Sequence, residues 1–94
     1  MKGTIKMKLK NGVIINETNG EYVAVAAGEA GKAFNGIIKM NGTAAFIART
    51  LQNDTDEDGV VAAICGEYEV DEDTARQNVR AVIEKLRGAG LIDG

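Results

Sequence analysis

Asn19-Gly20 stands between two runs rich in β-branched residues, Val13–Thr18 and Glu21–Ala26. Both turn residues tolerate the positive φ of a type I′ turn, and a two-residue loop of this kind commits its flanks to an antiparallel hairpin. Counting outward from the loop pairs Asn16 with Val23 and Ile14 with Val25. A second pair, Asn11-Gly12, repeats the hairpin signal. It follows Ile5, Met7 and Leu9, which alternate with Lys6, Lys8 and Lys10 in the period of a half-exposed strand or an extended arm. Gly28-Glu29-Ala30-Gly31 marks another turn, which leads to a third run at Ala33–Lys39. The first third of the chain is therefore expected to form a three-stranded antiparallel meander.

The periodicity then changes from two to that of helices. Asn41 precedes Gly42–Leu51, where Ala44, Ile47, Ala48 and Leu51 fall on one helical stripe. Asp54 or Thr55 can cap a second, short helix, with Asp56, Glu57 and Asp58 facing its positive end and Val61, Ile64, Cys65 and Tyr68 as its buried stripe. The clearest element is the last. Asp71 can cap it, Glu72 and Asp73 fill its first turn, and Val70 can staple onto Ala75. Ala75, Val79, Val82 and Leu86 form its apolar stripe, and Gly88 or Gly90 can end it in a left-handed conformation. Leu91-Ile92 is then expected to pack back on the core. The fold class is α+β: a meander followed by three helices, one domain over residues 1–94, with 1–12 as a Lys-rich arm or extra strand.

Composition narrows the function by what it withholds. Histidine and proline are absent and Cys65 is the single cysteine, so neither an internal disulfide nor a multi-cysteine metal site is available. Without histidine, the usual general base near neutral pH is missing. No glycine pattern makes a nucleotide loop after a strand. Asp54, Asp56, Glu57 and Asp58 suggest a calcium loop, but the twelfth position from Asp54 is Cys65 where a glutamate is needed, so capping is the better reading. No enzyme activity, cofactor or metal is expected. No apolar run reaches a membrane span or follows Lys2, Lys6, Lys8 and Lys10 as a signal peptide would require, so a cytoplasmic location is expected. The net charge of −3 conceals an uneven distribution, since residues 54–73 hold nine acids and no base. That balance argues against nucleic acid as a partner.

Two features suggest binding. Arg76, Arg80 and Arg87, with Ile83, share a face of the last helix; guanidiniums there can grip carboxylates, although pairs such as Arg76–Glu72 or Arg80–Glu84 on a solvated face are the simpler reading. The third strand would lie at a sheet edge, where unpaired N–H and C=O groups can accept a peptide. Alternatively, the Lys-rich arm covers that edge, or a second copy pairs with it in a homodimer.

The segments Met-Asn-Gly-Thr at 40–43, Glu-Tyr-Glu-Val-Asp-Glu-Asp-Thr-Ala at 67–75 and Leu-Arg-Gly-Ala-Gly-Leu-Ile at 86–92 follow the meander in order. With Asn41, Tyr68, Val70, Asp71, Ala75, Val79, Leu86, Gly90 and Leu91-Ile92 as anchors, the chain resembles the PqqD family from about Val13 to Ile92. The resemblance implies a winged helix-turn-helix preceded by a three-stranded sheet. It also implies a recognition element for ribosomally made, post-translationally modified peptides. In such proteins the leader segment of a precursor peptide adds as a strand beside the third strand, against the last helix, and is presented to a modifying enzyme, often a radical SAM protein. Carried over, the groove would involve Phe34, Ile37, Ile38 and Lys39 on the strand and Arg76, Val79, Arg80, Ile83 and Arg87 on the helix, with the arginines preferring acidic leader residues. Pyrroloquinoline quinone synthesis is not implied over other peptide pathways. Two features depart from the pattern: Gln52-Asn53-Asp54-Thr55 replaces a family glycine after the first helix, and the Lys-rich arm has no counterpart. The competing function is a winged-helix DNA-binding regulator reading with the last helix.

Overall fold

Asn19 and Gly20 both take positive φ, 53° and 79°, and close the expected hairpin. In the computed structural model, which describes residues 6–27 and 37–93, strands β2 (Val13–Thr18) and β3 (Glu21–Ala26) pair antiparallel. Asn16 faces Val23 and Ile14 faces Val25, the register set by the turn. Strand β4 (Ile37–Met40) pairs antiparallel with β3 on its other side, giving the sheet order β2-β3-β4. The turn expected at 28–31 and the start of the third run, including Phe34, lie outside the described residues.

From Lys6 onward the Lys-rich arm is part of the fold. Its strand β1 (Lys8–Leu9) pairs with β5 (Ile92–Asp93), while Asn11-Gly12 makes a turn that joins β1 to β2 without pairing them. A hairpin at Asn11-Gly12 is thus corrected to a corner. Met7 and Leu9 are buried, because alternation sends them into the core while Lys6 stays in solvent. The Met7 N–H donates to the Thr55 carbonyl at 2.7 Å, the Thr55 N–H donates back at 3.0 Å, and the Leu9 N–H donates to the Leu51 carbonyl at 2.8 Å. The two departures from the family pattern therefore touch: the arm straps the 51–55 connection.

Helix α1 (Gly42–Thr50) starts at Asn41, whose side chain accepts the Ala44 N–H at 2.8 Å. Ala45 is buried where Ala44 was expected; Ile47, Ala48 and Leu51 are buried as expected. Helix α2 (Glu57–Glu67) is capped by Asp56, which accepts the Gly59 N–H at 2.7 Å, because the backbone of Thr55 is committed to Met7. Its buried residues are Val60, Val61 and Ile64. Cys65 is exposed, contrary to expectation, and Tyr68 lies beyond the last turn in extended backbone, meeting the Phe46 ring edge-on at 5.7 Å. Gly59 has a steric reason: a Cβ there would come within 2.5 Å of the Thr55 Oγ1.

Helix α3 (Glu72–Gly88) buries Ala75, Val79, Ile83 and Leu86, with Val82 only partly covered. Gly90, at φ 78°, turns the chain so that Leu91 and Ile92 enter the core. Among the described residues no helix is long and apolar enough to cross a membrane.

Asp71 caps α3 through both oxygens. It accepts the Thr74 hydroxyl at 2.8 Å and the Thr74 N–H at 3.1 Å. These bonds, the hydroxyl's first, lower its pKa below the ordinary carboxylate value. A lowered folded-state pKa means that the cap stabilises above the unfolded pKa and is lost as pH falls through the folded one. Asp71→Ala is therefore expected to lower the melting temperature by a few degrees at neutral pH, with the gap closing in acid below the ordinary carboxylate range. Thermal melts of both chains across pH measure it.

Candidate functional site

β4 is an edge strand, and the direction of its backbone groups follows from the ladder. The Ala27 N–H donates to the Gly12 carbonyl at 2.9 Å, which makes 12 and 27 a hydrogen-bonded pair. Such pairs recur at every second residue. In β3, Val23 and Val25 thus bond to β2, while Tyr22 and Ala24 bond to β4 at Met40 and Ile38. Ile37 and Lys39 are left with N–H and C=O groups pointing away from the sheet. Among the described residues no backbone group reaches this edge, and the described part of the Lys-rich arm, one candidate cover, pairs through Lys8–Leu9 with β5.

Beside the edge lies a cleft of about 310 Å³. Lys39 and Met40 form one wall, Ala81, Val82 and Lys85 of α3 the other, and Ala44 of α1 one end. A second hollow of about 250 Å³ shares Asn41, Ala44, Ala81 and Val82 with it and runs on to Thr43 and Asn78. The two form one groove from the β4 edge along α3. Its helix side, Asn78, Ala81, Val82 and Lys85, follows i, i+3, i+4, i+7 spacing and so is a single stripe. On the outer face of the sheet, Ile14, Val25 and Ile37 align in register; Ile37 is 62% exposed and Ile14 47%.

The arginine stripe lies elsewhere. At 3.6 residues per turn, residues 76, 80, 83 and 87 point roughly opposite to 78, 81, 82 and 85. Arg76 donates to Glu57 at 2.6 Å and to Glu72 at 3.1 Å, and pairs with Asp58 at 2.9 Å. The hydrogen bond to Glu57 is the largest cause of its raised pKa, followed by those to Glu72 and Asp58. Arg80 donates to the same Glu57 oxygen at 3.0 Å. The expected Arg76–Glu72 pair forms, but Arg80 reaches α2 and not Glu84. Arg87 lies against the Met7 sulfur at 3.7 Å, on the arm side. These partly exposed pairs fasten α2 to α3.

The strand residues of the expected site divide by alternation: Ile37 and Lys39 are exposed and Ile38 is buried. Val79 and Ile83 are also buried, so they support the helix from the core and do not line the groove. The sequence reading missed Asn78, Ala81, Val82 and Lys85; an aliphatic step with a flanking lysine is the one signal that marks them. Among the described residues, no group of three or more His, Cys, Asp or Glu side chains is placed to hold a metal ion.

The family model for coenzyme PQQ synthesis protein D (PqqD) matches residues 12–92. The chain belongs to the PqqD family. Two solved structures share the fold. TbiB1 in complex with the TbiA(beta) leader peptide is 23% identical, with a TM-score of 0.70, covering 93% of this PqqD-family chain and 95% of that one. Lasso peptide synthetase B1 complexed with the leader peptide is also 23% identical, with a TM-score of 0.68 over 94% of this chain and 98% of that one. No curated protein matches the chain in sequence.

Proposed function

We propose that this PqqD-family chain captures the leader segment of a ribosomally made precursor peptide as an added strand at β4, and presents it to a modifying enzyme, of which the radical SAM class is one candidate. The observation that carries this reading is the outward-pointing backbone of Ile37 and Lys39 beside the β4–α3 groove. Main-chain hydrogen bonds supply affinity there, and alternate peptide side chains enter the groove. Family membership and the leader peptides bound by the two structural relatives support the same reading. Ile37, Lys39 and Met40 then contact the peptide from the strand and Ala81, Val82 and Lys85 from the helix, with Val79 and Ile83 holding the helix in position. Arg76 and Arg80 are assigned to the α2–α3 fastening. That assignment also removes the cations a DNA-reading helix needs, since both already face carboxylates.

The test is calorimetric titration with the leader segment of a precursor peptide encoded beside this chain's gene. Ala81 is exposed, so Ala81→Trp fills the groove from its open side without entering the core. It is expected to weaken binding by at least about tenfold, the order of losing one buried contact or strand hydrogen bond. Arg80→Glu, on the opposite flank, is expected to leave affinity within about twofold. The reverse order of effects overturns this placement. Sedimentation with and without peptide tests the competing occupant, a second copy paired at β4: a dimer that persists on peptide addition favours it.

A further inference from the structure

Lys39 from the strand and Lys85 from the helix both line the β4–α3 groove. Both are exposed, and among the described residues neither forms an ion pair. They differ in this from Arg76 and Arg80, whose charge is spent on α2. Between the lysines the lining is aliphatic, with Met40, Ala44 and Val82 at the walls and Leu86 beneath. A ligand side chain entering there leaves water for hydrocarbon, and its neighbours meet two ammonium groups that no carboxylate among the described residues pairs with. The chain's acids are concentrated at residues 54–73, away from the residues that line this groove. Complementary charge at a groove mouth chooses among ligands more than it adds raw affinity.

We propose that the groove selects an extended segment in which an aliphatic residue has a carboxylate within two positions of it. The inference rests on the strand-addition reading above. On an added strand, successive side chains point to opposite faces. An acid adjacent to the aliphatic residue would lie towards the sheet's outer face and Lys39; one two positions away would share the groove face with Lys85.

Three synthetic peptides test it against the full chain: acetyl-Thr-Glu-Leu-Thr-Glu-Thr-Val-amide, which sets one acid beside the Leu and one two positions from it, and the same sequence with Gln or Lys in place of both Glu residues. Backbone amide shifts of β4 and α3 report the binding. The Glu peptide is expected to bind about tenfold tighter than the Gln peptide at low salt, the Lys peptide weakest, with the advantage shrinking as salt rises. The double variant Lys39→Glu, Lys85→Glu is expected to reverse the order, and Lys39→Gln and Lys85→Gln singly to remove part of it. Both lysines are exposed, and a thermal melt checks that each variant is folded. If all three peptides shift Ile37–Met40 with equal affinity, the acid preference is overturned and strand addition stands. If no peptide shifts β4 at all, strand addition is overturned and the preference with it.

Discussion

Replacing Ile37 by proline is expected to weaken leader-peptide binding by about tenfold to a hundredfold while leaving the melting temperature close to that of the parent chain. The expectation combines two facts about one N–H. By the alternation of the ladder, the Ile37 N–H points away from β3, so its loss removes no sheet hydrogen bond. Proline is tolerated at the first residue of an edge strand for this reason, and the exposed side chain contributes little to the core. A peptide carbonyl that met this N–H would be left unpaired on binding, which costs about 1–3 kcal/mol. The neighbouring position behaves oppositely. Ile38 is buried and its N–H faces Ala24, so Ile38→Pro is expected to break the ladder and unfold the sheet. Lys39 stays in place in Ile37→Pro, which separates the backbone contribution from that of charge. Titration calorimetry beside a thermal melt measures both halves. Parent-like affinity in a folded Ile37→Pro chain means that the peptide does not use this edge.

The hairpin, the helices and the cap of the last helix were legible in the sequence because local chemistry determines them, whereas the α2 cap, expected at Asp54 or Thr55, falls on Asp56. Asn19-Gly20 set a register that holds through all six pairs of the hairpin, and Asp71 caps its helix as its position suggested. The groove was legible only by half. An edge strand beside the last helix follows from element order, but which flank of that helix turns towards the edge does not. Both flanks of the Ala75–Leu86 stripe satisfy the same periodicity. The choice follows from how α3 lies between α2 and β4, which places Arg76 and Arg80 on the α2 side, where the carboxylates of Glu57 and Asp58 meet them. Sequence spacing shows that charges share a face, not what that face meets. The same limit explains Cys65 and Tyr68. Thr55 is drawn to Met7, 48 positions earlier in the chain, so α2 starts at Glu57 with Val60, Val61 and Ile64 inward. A pairing at that separation leaves no local mark.

The Met7–Thr55 pairing belongs to a longer chain of contacts that closes on Leu91. Its side chain is fully buried, its N–H donates to the Leu86 carbonyl at 2.9 Å, and its carbonyl accepts the Lys10 N–H at 2.9 Å. Leu91→Ala is expected to cost about 2–5 kcal/mol, since the transfer loss and the cavity loss add where the surroundings cannot collapse. A domain of this size holds about 5–15 kcal/mol in all. At about 4–8 °C per kcal/mol, the melting temperature should fall by roughly 8–40 °C. The conservative Leu91→Met is expected to cost less than about 1.5 kcal/mol. The loosening should also have a direction. Leu9 and Lys10 are tied to Leu51, Ile92 and Leu91, so their amides should exchange with solvent sooner in Leu91→Ala than those of β3, which the hairpin and β4 hold independently. Uniform acceleration across both sheets would mean that the arm and the meander open as one unit. A melting temperature within a few degrees of the parent would mean that the segment after Gly90 rests on the core without being part of it.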